Sequence, residues 1–215
     1  MAATAADAVF LLGDLFEVWV GDDALAAGGF EAECAGVLRA TAQRLPLFFL
    51  AGNRDFLVGA GLAGATGLAL LRDPTVLAFG ERRWLLSHGD ELCVADTDYQ
   101  AFRRQVRSEA WQQGFLGQPL PVRQALARGL RQESEALKAT DRVYADVDTA
   151  AALQWLQAAR AEVLIHGHTH RPAEHALDAR HRRIVLTDWD AEAVPPRLEA
   201  LRIARDGTVQ RIGLA

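Results

Sequence analysis

The stretch Val163-Leu164-Ile165-His166-Gly167-His168-Thr169-His170 sets the reading of the whole chain. A short, continuous apolar run suits a strand buried on both faces. It stops abruptly in a polar cluster rich in imidazole. Three other runs have the same form. Ala8 to Leu12 ends at Gly13-Asp14, Leu45 to Ala51 at Gly52-Asn53-Arg54-Asp55, and Arg83 to Leu86 at Ser87-His88-Gly89-Asp90. Open α/β sheets bind ligands at the carboxyl ends of their strands. Four strands are therefore expected to deliver polar side chains to one edge of an α/β fold.

The rest of the chain is consistent with that expectation. Ala24 to Arg44 reads as a helix. Arg182 to Thr187 and Leu198 to Ala204 read as strands, and Asp206-Gly207 turns the chain into a last strand, Thr208 to Leu214. The segment at about 97–159 is helical in composition, with Pro119 and Pro121 marking a break and a new start. In it, Val122, Leu126 and Leu130 form an apolar stripe, with Arg123, Arg128 and Arg131 off the stripe. No linker divides the 215 residues, so a single domain with a helical insert is expected.

Composition removes several function classes. Half of the residues are hydrophobic and 24% are charged, as in ordinary globular proteins. A net charge of −5 speaks against nucleic-acid binding. Two cysteines, Cys34 and Cys93, cannot build a disulfide framework and suit a reducing, cytoplasmic compartment. There is no apolar span of membrane length and no secretory leader pattern.

The strand ends carry metal-ligand chemistry: a carboxylate at Asp14, an amide oxygen at Asn53, and imidazoles at His88, His168 and His170. Mixed oxygen and nitrogen donors suit borderline divalent ions such as Mn²⁺, Fe²⁺ or Zn²⁺. A carboxylate can bridge two ions, and two ions ~3.5–4 Å apart can clamp a phosphoryl group. His166 reads as a packed strand-end histidine, and Asp22-Asp23 as a loop pair or as substitute metal ligands. Asp90 reads equally as a carboxylate orienting His88 or as a turn cap.

The ordered set Gly13-Asp14, Gly52-Asn53-Arg54-Asp55, His88-Gly89-Asp90 and Gly167-His168-Thr169-His170 resembles the calcineurin-like metallophosphoesterases. More closely, Leu11 to Asp23, Gly52 to Phe56, His88 to Cys93, Tyr99 to Arg103 and Ile165 to Pro172 resemble the UDP-2,3-diacylglucosamine hydrolases of lipid A synthesis. Arg54, where most metallophosphoesterases have histidine, is typical of that subfamily. The resemblance implies packed sheets flanked by helices with a helical cap. It also implies Mn²⁺-dependent hydrolysis of UDP-2,3-diacylglucosamine to UMP and 2,3-diacylglucosamine 1-phosphate, in the cytoplasm at the inner-membrane surface. Asp14 would bridge two ions, with Asn53, His88 and His168 completing one site and His170 belonging to the other. Asn53, Arg54, Asp96, Ser134, Lys138 and His168 would contact substrate, with Arg54 stabilising charge on the phosphoryl oxygens.

The resemblance has two gaps. The family's first strand ends in Asp-x-His, which is absent before Asp14. The first strand is thus expected to be missing, its ion two ligands short and activity impaired. The family's insert lysine falls on Asp141 here, leaving Lys138 as the candidate. The stripe with Arg123, Arg128 and Arg131 fits either anionic headgroups or simple helix packing. Two other functions compete: a phosphoesterase for another phosphodiester or nucleotide, and a non-catalytic lipid- or nucleotide-binding relative.

Overall fold

The structure is a computed structural model that describes residues 5–138 and 145–214, and for 133–138 the backbone alone. Within the span read as one domain, the chain forms two compact units. The first comprises Met1–Leu71 with Asp96–Ala145, the second Arg72–Ala95 with Asp146–Ala215. The helices expected as one insert at about 97–159 are shared between the two.

The first unit is built on a parallel sheet of three strands, β1 (Val9–Leu12), β2 (Leu47–Leu50) and β3 (Ala69–Leu71), in that order. The register sets Leu12 beside Leu50, so the polar segments after β1 and β2 leave the sheet side by side. α1 (Phe30–Ala42) and α2 (Ala60–Thr66) follow β1 and β2. Leu38 from α1 and Leu62 from α2 join Leu47 and Phe49 of β2 in one core, together with Phe16, Trp19 and Val20. Phe49 and Leu62 are fully buried, each gaining about 1.5–3 kcal/mol from leaving water. Among the described residues β1 pairs with β2 alone and forms one edge of this sheet.

The helix expected over 24–44 is shorter. A 3-10 turn, Asp22–Ala27, comes first, and α1 starts only at Phe30. Gly28 and Gly29 take φ of +77° and +81°, a left-handed pair that no helix can run through. Three further helices complete the unit: α3 (Thr97–Val106), α4 (Glu109–Leu116) and α5 (Leu120–Lys138). Asp96 and Ser108 cap the first two, accepting from Tyr99 N and Trp111 N. Phe115 of α4 and Ala127 of α5 enter the core beside Trp19.

Of the two readings of the α5 stripe, simple helix packing through it does not hold. Val122, Leu126 and Leu130 stay exposed, whereas Arg123 is 2% exposed. Its guanidinium donates to Val20 O and Gln118 O and pairs with Asp23. Arg131 reaches Glu17 in the same way. Arg123 is thus packed inside and cannot meet a lipid headgroup; of the three arginines only Arg128 is exposed.

The second unit has a five-stranded sheet in the order β4-β5-β6-β8-β7: β4 (Thr75–Phe79), β5 (Arg82–Ser87), β6 (Val163–His166), β7 (Ala173–Ala176) and β8 (Arg182–Val185). β5, β6 and β8 run parallel, while β4 and β7 are antiparallel edges. α6 (Thr149–Ala159), capped by Asp148, packs on β5 and β6. Trp84, Leu85, Leu164, Ile184 and Val185 fill this core. The hairpin β9 (Glu199–Ile203) and β10 (Val209–Gly213) follows, turning at Asp206-Gly207 as expected. No described helix is long and apolar enough to cross a membrane.

Candidate metal centre

In the first unit, Asp14 leaves β1 with φ of +52°, a conformation uncommon outside glycine and typical of functional turns. Its Oδ1 accepts from Arg54 N at 2.9 Å, and Arg54 Nε stands 3.6 Å from its Oδ2. Arg54 O accepts from Trp19 N at 3.0 Å, so the loop after β2 is tied at two points to the loop after β1. Asn53 lies on that loop, half-buried.

Asp55 holds the two loops in place. It is fully buried. Its Oδ1 accepts from Gly52 N at 2.7 Å, and Oδ2 from Leu15 N at 2.7 Å and Phe16 N at 3.4 Å. In the sequence Asp55 stands out only as the end of the Gly52-Asn53-Arg54-Asp55 motif. The signal available was a carboxylate three residues after Gly52, the spacing of a turn-closing side chain. Asp22 keeps the loop role expected of it, accepting from Trp19 Nε1, Gly59 N and Gly61 N. Arg123 beside Asp23 holds that carboxyl below its usual range, outweighing the effect of burial. Asp96 stands at the N-terminus of α3. Ser134 and Lys138 fall on the last turns of α5, where their side chains lie outside the described residues.

In the second unit, His88 follows β5 and His168 follows β6. The register pairs Ser87 with His166, which brings the two loops together. The His88 and His168 rings are 5.1 Å apart, edge to face at 66°. His88 is buried, and its backbone N donates to Asp73 Oδ2 at 3.1 Å. Burial pushes the Asp73 carboxyl up, against hydrogen bonds from Ser87 and His88. His168 and His170 both adopt positive φ, +61° and +52°, and His170 is exposed.

His166 is a packed histidine, as expected, with no exposure. Its Nδ1 lies 2.9 Å from Gly167 O, and Arg183 Nη1 lies 3.3 Å from its Nε2. The carbonyl at Nδ1 and the cation at Nε2 place the ring proton on Nδ1, and the cation disfavours a second proton on Nε2. Burial, the larger cause, lowers its pKa to about 4. Gly89, with φ of +106°, gives this ring its room; a Cβ there would come within 2.8 Å of His166 Nδ1. Asp90 is buried at the start of a 3-10 turn, Asp90–Leu92. The Asp188-Trp189-Asp190 stretch, which the sequence leaves without a role, closes on Arg197, which binds both carboxylates.

Each unit thus offers donors of the type a borderline divalent ion takes. The first has Asp14 and Asn53 on loops fixed by Asp55; the second has two imidazoles in ring contact and a third exposed.

Comparisons with known proteins give the same reading. The family model for calcineurin-like phosphoesterases matches residues 2–172. The UDP-2,3-diacylglucosamine hydrolase of Bordetella pertussis is 47% identical over 212 residues, 96% of this chain and 82% of the relative. Its counterpart in Chromobacterium violaceum is 46% identical over 186 residues, 85% and 76% of the two chains. That of Stenotrophomonas maltophilia (strain R551-3) is 43% identical over 210 residues, 92% and 84%. With strand-end ligand types in both units, a model match over most of its length and relatives of this identity, the chain belongs to the calcineurin-like phosphoesterase family.

Proposed function

We propose that this chain hydrolyses the pyrophosphate bond of UDP-2,3-diacylglucosamine, releasing UMP and 2,3-diacylglucosamine 1-phosphate, with Mn²⁺ as its metal. The observation that carries the reading is the identity of 42–47% to curated hydrolases of that name across nearly the whole chain. Asp14, Asn53, His88 and His168 would hold one ion, with Asp14 and His170 directed to a second. Bound there, a divalent ion polarises a phosphoryl oxygen and makes water nucleophilic near neutral pH.

The remaining work falls to the chain itself. A guanidinium acts as a fixed cation and not as a proton donor, so Arg54 would serve the phosphoryl oxygens electrostatically. Asp55 keeps the Asn53-Arg54 loop from moving as charge develops, since a pre-set donor costs no reorganisation. Asp96, Ser134 and Lys138 would meet the sugar and its phosphate. The acyl chains need apolar cover. The exposed depression on α5, lined by Pro121, Val122, Ala125, Leu126, Gly129 and Leu130, supplies it. Such a substrate places the enzyme in the cytoplasm, resting on the inner membrane without crossing it.

The test is Mn²⁺-dependent release of UMP from the lipid by the 215-residue chain. Turnover should disappear with a chelator, return with Mn²⁺, and be lost by at least 10³-fold, an order-of-magnitude figure, in Asp14→Ala. An Asp14→Ala variant keeping most of its turnover would refute the ligand assignment. Cleavage of bis(p-nitrophenyl) phosphate with no attack on the lipid would refute the substrate.

A further inference from the structure

Glu17 is a surface carboxylate with an unusual pair of neighbours. Its Oε2 accepts from Arg54 Nη1 and from Arg131 Nη1, and its backbone carbonyl accepts from Arg131 Nη1 at 3.2 Å. It lies three residues after Asp14, and one guanidinium therefore stands between two carboxylates. Arg54 bonds directly to Glu17 while its Nε remains 3.6 Å from Asp14 Oδ2, beyond hydrogen-bond range.

We propose that Glu17 is a positioning residue that holds the Arg54 guanidinium off the Asp14 carboxylate. The inference rests on the reading of Asp14 as a metal ligand. A guanidinium beside a lone carboxylate closes on it through two parallel hydrogen bonds. Arg54 is already anchored to Asp14 through its backbone N at 2.9 Å, so its side chain needs only a small rotation to do so. Asp14 would then spend its lone pairs on arginine and offer fewer to an ion. Glu17 supplies the competing acceptor on the other side. Arg131 keeps that acceptor from neutralising Arg54. Two guanidiniums share that one carboxylate, so Glu17 does not by itself cancel the charge of Arg54. Glu17 is largely exposed, with 71% of its side chain in solvent, and exposed pairs contribute little to stability. Its role lies in orientation and not in holding the fold.

The experiment is a calorimetric Mn²⁺ titration of the metal-stripped full chain. It compares wild type, Glu17→Gln, Arg54→Ala and the double variant, with thermal unfolding as the folding control. Glu17→Gln should weaken Mn²⁺ binding about tenfold, in the range for residues that orient ligands, with an unchanged unfolding midpoint. With Arg54 gone there is nothing to hold back, so Glu17→Gln should then alter binding less than about twofold, well below that range. Equal losses in both backgrounds would reduce Glu17 to a distant negative charge and overturn the proposal. So would wild-type affinity in Glu17→Gln. A wild-type chain that takes up no Mn²⁺ sinks the reading of Asp14, and the proposal with it.

Discussion

Asp55 and Arg123 are both buried charges, and each is held by backbone groups as much as by any ion partner. Asp55 satisfies three amides from two loops. Replacing it with asparagine keeps the shape but turns one acceptor into an NH₂ facing donors. A buried donor left unsatisfied costs about 1–3 kcal/mol. Asp55→Asn should therefore lower the stability of the fold by about 2–3 kcal/mol in urea unfolding, and loosen the Asn53-Arg54 loop as well. A loss under about 0.5 kcal/mol, the usual surface value, would show that the loops hold without it. The metal-ligand types at the strand ends were legible because an abrupt change from apolar run to His, Asn or Asp is a local signal. The residues that fix them were not. The spacing of Asp55 from Gly52 marks a turn-closing carboxylate but not its burial or its reach to a second loop, and Glu17 acquires its partners from positions 37 and 114 residues away.

At the level of elements, the sequence reads well where a strand is buried on both faces. β2, β5 and β6 coincide with runs seen in the sequence to within a few residues. β3, β4 and β7 went unread, although Leu68 to Leu71 and Val76 to Phe79 are apolar throughout; all three strands are short and half-exposed. α5 was legible as a helix but not in its facing. The apolar stripe at spacing four points inward by the ordinary rule. In this helix Arg123 and Ala127 take the inner face, because Asp23 and two carbonyls await the guanidinium there. The outward Leu126 and Leu130 lose little when replaced. Leu126→Ser with Leu130→Ser should shift stability by less than about 1 kcal/mol, two surface substitutions' worth. It should raise KM for the diacylated substrate severalfold, measured against an analogue with short acyl chains. A large drop in stability, or an unchanged KM, would remove these residues from the acyl-binding role.

Across the whole molecule, neither compact unit is a continuous piece of chain. The first is interrupted by 72–95 and the second begins there, resuming at Asp146. The first unit's core needs Phe115 and Ala127 as much as Phe16 and Trp19. A fragment ending at Ala95 should therefore show no cooperative thermal transition, and neither should 96–215. Co-expressed, the two should recover a cooperative transition. A sharp transition in either fragment alone would contradict the division.

The Arg123 contacts with Val20 and Asp23 span 103 and 100 residues. During synthesis at roughly 5–20 residues per second, the loop carrying Asp14 leaves the ribosome some 5–20 seconds before the arginine that anchors it. For that interval Val20 and Asp23 lack the guanidinium that ties their loop to α5. The loop after β1 is thus made well before the helix residue that completes its contacts.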